Sequence, residues 1–305
     1  MEQDIRRWLS PPDPWKNHNI ACKSRHRGSA AWFLQGDTYS KWKASETPGS
    51  LLWVHGKRPL TPVNYGSSRE TELFRFRSGC WEKRTLVRQT FHFHIPIWST
   101  HHVGSSTIIG DIDTMRKAGL ATLAFFYCDF REDQKKDLRG LLSSFLVQLC
   151  HQSDSYSNIL SKIYSEHANG SRHPSDDVLA GCLKDLLELP GHAPVYLIVD
   201  ALDECPNTSS IPSPRDEVLN LIEELIKSEI ANLRICVTSR PETDIKDSLD
   251  PLVLHTASLH DESGQKRDIE EYIKSVINMN PKNKRWKAAD KQLVINILSE
   301  KADGM

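Results

Sequence analysis

The sequence predicts an α/β fold in three layers, a mostly parallel sheet with helices on both faces and two further helices after it. Three observations carry the prediction. Short apolar runs alternate along the chain with segments of helical spacing about 10 to 15 residues long, the order that builds a parallel sheet covered on both sides. One apolar run, Pro194-Val-Tyr-Leu-Ile-Val, passes straight into Asp200-Ala-Leu-Asp203-Glu204. A second, Leu233-Arg-Ile-Cys-Val, ends in Thr238-Ser239-Arg240 about 40 residues later.

Taken in order, residues 1–49 read as an approach segment. Ser10-Pro-Pro-Asp-Pro14 is a stiff turn, and Trp32, Phe33, Tyr39 and Trp42 suggest a short aromatic helix that docks on a larger body. Ser50-Leu-Leu-Trp-Val-His55 is a buried strand ending at Gly56-Lys57. Residues 50–262 form the main domain, within which 58–104 show no sustained period of 2 or 3.6 and read as an irregular insertion. Order returns with a helix over 106–115, a strand over 121–130 and an apolar-faced helix over 138–152. A helix over 176–189 carries Val178, Leu179, Leu183, Leu186 and Leu187 on one side and precedes the carboxylate strand. Then come a helix over 216–229, a strand over 233–238, a short helix over 243–249 and a last strand over 252–259. Residues 263–305 begin a helical region with amphipathic helices over 266–279 and 288–301.

The 305 residues suffice for one large α/β domain with a smaller appendage. Apolar runs are far shorter than a spanning helix and the start MEQDIRRWLS has no apolar signal core, so a soluble, cytoplasmic protein is expected. Lys plus Arg (39) nearly balance Asp plus Glu (40), which leaves no global field to draw nucleic acid or a membrane. The seven cysteines never form Cys-x-x-Cys and most sit in apolar runs, so reduced core thiols are expected. Cys80, His92, His94, His101 and His102 fit no familiar zinc spacing.

A strand that delivers carboxylates to a sheet edge suits Mg²⁺ and water chemistry. Asp200 can reach a metal-bound water, and Asp203 or Glu204, one turn on, can polarise a nucleophilic water. Thr238, Ser239 and Arg240 emerge at the same edge, where a hydroxyl and a guanidinium can read a terminal phosphate. The half of the site that grips phosphate is missing, since no Gly-x-x-x-x-Gly-Lys-Ser/Thr occurs. Gly56-Lys57 is followed by Pro59 and Pro62, which remove N–H donors. Gly104-Ser105-Ser106-Thr107 offers a crude phosphate nest, with Ser106 or Thr107 touching metal.

These two strands, with Gly119-Leu-Ala-Thr-Leu-Ala-Phe-Phe-Tyr-Cys-Asp-Phe130 and the approach Trp8-Leu-Ser-Pro-Pro-Asp-Pro14, Asn17-His-Asn-Ile and Gly28-Ser-Ala-Ala-Trp-Phe33, resemble NACHT-type signalling NTPases. More narrowly, they resemble the nephrocystin-3-like N-terminal domain of fungal NOD-like receptors of the heterokaryon-incompatibility type. The resemblance spans residues 6–57 and 105–305 and implies a P-loop NTPase fold, ATP with Mg²⁺ as cofactors, and self-association or other signalling proteins as partners. It implies Asp200 for the metal, Asp203 and Glu204 for water activation, and Arg240 for the γ-phosphate. It sets Gly56 and Lys57 at the start of the phosphate loop, Ser106 and Thr107 at its end, and His26 and Gly28 near the base or ribose. The helical region from 263 reads as a truncated lid.

Between Gly56-Lys57 and Gly104 the family's phosphate loop is replaced by unpatterned sequence. Three lost charge-assisted hydrogen bonds forfeit on the order of 5 to 9 kcal/mol, against about 8 kcal/mol for micromolar binding. Nucleotide affinity is therefore expected to be impaired. The alternative reading is a non-catalytic scaffold, or the product of a mis-spliced gene with non-coding sequence between two coding segments.

Overall fold

The computed structural model describes residues 2–24, 30–56, 99–258, 263–279 and 286–302. Five strands, β1 (Ser50–His55), β2 (Thr122–Tyr127), β3 (Val195–Asp200), β4 (Leu233–Ser239) and β5 (His255–Ser258), form one sheet. Their spatial order is β2-β3-β4-β1-β5 and every pair is parallel. Successive side chains leave a strand on opposite faces, so a strand covered on both sides must be apolar at every position. Leu51 and Trp53 of β1 accordingly enter one hydrophobic layer while Leu52 and Val54 enter the other, and Ala124 and Phe126 divide from Leu123 and Phe125 in the same way.

The first layer is built by α1 (Glu2–Leu9), α6 (Leu138–Cys150), α7 (Asp154–Glu166), α8 (Asp176–Leu187), α9 (Pro214–Lys227) and α10 (Thr243–Leu249). The second is built by α3 (Ala31–Leu34), α4 (Asp37–Lys43) and α5 (Ser99–Lys117), with α2 (Pro14–Ser24) packed on α5 and β2. Local signals set several of these helices. Ser175 caps α8 by accepting from the Val178 N–H, and Ser213 with Asp216 forms a capping box ahead of Pro214 at the start of α9. After the sheet, α11 (Ser263–Met279) and α12 (Ala288–Ala302) pack on each other around Ile273, Ile277, Val294 and Ile295.

The expected α/β architecture is thus the observed one, with several differences. The aromatic helix is two short helices, in which Trp42 is wholly buried and donates from Nε1 to the Ser50 carbonyl at 3.2 Å. Helix α5 begins at Ser99 rather than 106, and β5 is confined to four residues. Helices α1, α2 and α7 were not anticipated. In α7 the apolar positions Tyr156, Leu160, Ile163 and Tyr164 have helical spacing, diluted by serines and an asparagine. No helix among the described residues is long and apolar enough to cross a membrane.

Candidate functional site

Strand register assembles the site. Tyr127 pairs with Asp200, Val199 pairs with Val237, and Thr238 pairs with Val54, so Tyr127, Asp200 and Thr238 stand in one row at the carboxyl edge of the sheet. Ligands of open α/β sheets bind at this edge. Asp200 is wholly buried, and its Oδ1 accepts the Thr238 hydroxyl at 2.5 Å. The same Thr238 oxygen accepts the Ala201 N–H at 3.0 Å. Ala201 has φ 55° and ψ 48°, a left-handed conformation that costs a residue with a Cβ about 1 kcal/mol or more and swings the chain into the 3-10 turn Leu202–Glu204.

That turn presents Asp203. Its Oδ1 accepts the Arg240 N–H at 3.0 Å and its Oδ2 lies 3.4 Å from Arg240 Nε. Beneath it, the buried Arg215 of α9 donates from Nη2 to the Asp203 carbonyl at 2.7 Å and from Nε to the Cys205 carbonyl at 2.9 Å. Its Nη1 donates to Glu242 Oε2 at 2.7 Å and Asp244 Oδ2 at 2.9 Å. One guanidinium, whose fork geometry suits several acceptors at once, therefore ties the loop after β3 to the loop after β4. Burial works against charge on Arg215, yet its two carboxylate partners raise its affinity for the proton above the ordinary arginine value.

On the β2 side, the Tyr127 hydroxyl lies 3.0 Å from His18 Nδ1, and His18 Nε2 lies 3.3 Å from the Cys22 sulfur. Burial raises the Tyr127 phenol well above its ordinary range, the Asp200 charge adds to that, and a hydrogen bond with Ser105 opposes it. Just beyond β2, Asp129 is buried but accepts from Arg131 through the side chain at 2.8 Å and the backbone at 3.0 Å, and from Asn17 Nδ2 at 3.1 Å. Burial pushes its carboxyl up, and the Arg131 and Asn17 bonds outweigh it and bring it down to about 2. The buried Lys135 donates from Nζ to Asn17 Oδ1 at 2.5 Å and lies 3.1 Å from Glu132.

Of the residues singled out from sequence, Asp200, Asp203, Thr238, Ser239 and Arg240 converge on one edge. Thr238 and Ser239 are buried and engaged within the protein: Ser239 Oγ accepts from Trp53 Nε1 at 2.9 Å. Glu204 closes the 3-10 turn and acts electrostatically on Arg131 and Cys128. Gly56 is buried directly after β1. Ser106 and Thr107 are buried inside α5, and because that helix starts at Ser99 their amides fall within its hydrogen-bonded body instead of at its first turn. Lys57, His26 and Gly28 lie outside the described residues. Sequence reasoning missed Tyr127, His18, Asn17, Asp129, Lys135 and Arg215. Asp129 follows an apolar strand as Asp200 does, and that pattern could have flagged it.

Among the described residues no group of three or more His, Cys, Asp and Glu could hold a metal ion. Mg²⁺ does not require one, since it commonly takes one or two carboxylates with water and phosphate oxygens. The complete burial of Asp200 suits a ligand that acts through a bridging water better than one in direct contact. The six described cysteines are free thiols, five of them buried; Cys128 and Cys205 lie 3.4 Å apart, and their contact, ahead of burial, raises the Cys128 thiol.

A five-stranded parallel sheet flanked by helices, with carboxylates at the ends of β3 and its following turn, defines an α/β protein of P-loop-like fold. The family model described as nephrocystin 3, N-terminal matches residues 84–240, more than half of the chain, and the chain belongs to that family. The match holds α5, β2, β3 and β4 with the acidic turn, and it extends upstream of α5 to residue 84. No curated protein matches the chain.

Proposed function

We propose that the chain is a NACHT-like switch module of the signal-transduction NTPase class, in which the edge between β3 and β4 responds to Mg²⁺·ATP. The observation that carries this reading is the paired arrangement of Asp200 with Thr238 and Asp203 with Arg240 on neighbouring strand ends. Asp200 would orient the metal-bound water; the metal, when bound, neutralises phosphate charge. Arg240, whose side chain is 43% exposed, is free enough to swing while its backbone N–H stays on Asp203. Contact with a terminal phosphate would draw the guanidinium off Asp203, and Asp203, or Glu204 beside it, would then be available to a nucleophilic water. Phosphate sensing and water activation are thereby coupled through one ion pair, and self-association or docking of other signalling proteins is the output of the switch.

Affinity is weak in this reading, because the sequence lacks the glycine-lysine loop that supplies most phosphate contacts. Titration with MgATP followed by amide chemical shifts tests it. Saturable shifts at Arg240 and Asp203, with a dissociation constant on the order of 1 mM and lost in Asp200→Asn and Arg240→Gln, support the switch. No shift in the unmodified protein removes nucleotide from the function. The second reading, a non-catalytic scaffold, is favoured by the internal engagement of every polar group on Thr238, Ser239 and Asp203 described above.

A further inference from the structure

Among the described residues β2 is an outer strand of the sheet, and one side of its backbone should be open to any passing strand. The amides of Thr122 and Cys128 point towards β3, where they donate to the Pro194 and Asp200 carbonyls. Alternation turns Leu123, Phe125 and, at the strand's end, Tyr127 the other way. Leu123 and Phe125 are nevertheless fully paired, by side chains. Gln148 Oε1 accepts the Phe125 N–H at 3.1 Å and Gln148 Nε2 donates to the Phe125 carbonyl at 2.8 Å. Gln152 repeats the pattern on Leu123, at 3.0 and 2.7 Å.

The geometry behind this is a match of two periods. Residues four apart on a helix rise about 6 Å, and residues two apart on a strand are separated by about 6.6 Å. Helix α6 runs antiparallel to β2 and Gln152 stands in the turn just past its last residue, four positions after Gln148, so this spacing meets successive outward backbone positions. Each primary amide carries one acceptor and two donors, so it presents the same donor and acceptor pair that a neighbouring strand would. The spare donors return to α6: Gln148 Nε2 also reaches Ser144 Oγ at 2.9 Å, and Gln152 Nε2, from the turn after the helix, reaches the Gln148 carbonyl at 2.7 Å. The two side chains are therefore held at the edge from both ends.

We propose that Gln148 and Gln152 form a surrogate strand that closes the β2 edge against pairing with a second copy of this chain. A sheet so closed is confined to assembly through other surfaces, whatever the protein's partners are. The occupant excluded is a like strand, because Leu123-Ala-Phe-Phe-Tyr127 is uncharged, rich in β-forming residues and lacks proline, the composition that pairs with itself.

Residue-resolved amide hydrogen exchange on the whole chain tests this without any variant: Leu123 and Phe125 should be protected to the same degree as Ala124 and Phe126. Fast exchange at Leu123 and Phe125 overturns the proposal. In Gln152→Leu, Leu123 should exchange at least about tenfold faster while Phe125 keeps its protection; acceleration of both or of neither overturns it. In Gln148→Leu/Gln152→Leu, light scattering should show dimers and larger species that grow with concentration. A folded double variant that stays monomeric at every concentration refutes the edge-guard role.

Discussion

Thr238 does two jobs with one hydroxyl, donating to Asp200 and accepting from the strained Ala201 amide. Both partners are buried, so neither recovers a water when the hydroxyl is removed. A buried hydrogen bond to a charged group is worth about 1.5 to 3 kcal/mol. Thr238→Val, close in shape, should therefore lower the unfolding free energy by about 2 to 3 kcal/mol with an unchanged denaturant slope. Thr238→Ser keeps the hydroxyl and should lose only about 1 kcal/mol, the cost of one buried methyl. Urea unfolding of the three proteins separates the polar effect from the packing effect; equal losses for valine and serine would reduce Thr238 to a packing residue. From sequence, Thr238 looked like a phosphate reader because position alone brought it to the edge. Its buried partner could be seen only once register set it beside Asp200.

At the scale of elements, α2 is held by polar bonds more than by apolar burial. Asn17 bridges Asp129 and Lys135, which lie more than 100 residues away in sequence, and Lys16 pairs with Glu132 at 2.7 Å. Such a helix leaves no apolar stripe, which is why Pro14–Ser24 was not legible, whereas α6 and α8 and the strands announced themselves through their periods. The acidic edge was legible for a related reason: polar residues stand out directly after apolar runs. The attachment of α2 has a pH signature. The Asp129 carboxyl lies at about 2 in the folded chain against 3.8 for the unconstrained group. A carboxyl lowered by folding stabilises the native state above its unfolded value and loses that contribution as pH falls. Stability should therefore drop by on the order of 2 kcal/mol between pH about 4 and about 2 through this group. Asp129→Asn should be less stable at neutral pH and should show a flatter decline across that window in urea unfolding at stepped pH. A decline as steep as that of the unmodified chain would assign the acid sensitivity elsewhere.

At the scale of the molecule, the described residues form three apolar clusters of unequal size. Two sandwich the sheet and share its strands, so they should rise and fall together. The third, between α11 and α12, has four buried residues with Trp286 and Leu298 packed against them. A core that small supports little stability by itself, and the pair is tied to the body by Asp268, whose Oδ2 accepts the Ala30 N–H at 2.5 Å and the Trp32 indole N–H at 3.0 Å. The two helices should open as a separate unit at a lower free energy than the sheet. Asp268→Ala removes both bonds and should lower that opening free energy by about 1 to 3 kcal/mol, a figure reduced from the sum of two charged bonds because the site is only part-buried. Native-state hydrogen exchange in low urea reads the result directly. Amides of α11 and α12 should lose protection first and, in Asp268→Ala, at still lower urea, while amides of β1, β3 and β4 keep their unmodified rates. If the sheet amides accelerate in step with the helices, residues 263–302 belong to the same cooperative unit as the sheet, and the carboxylate is part of the global fold instead of a hinge clasp.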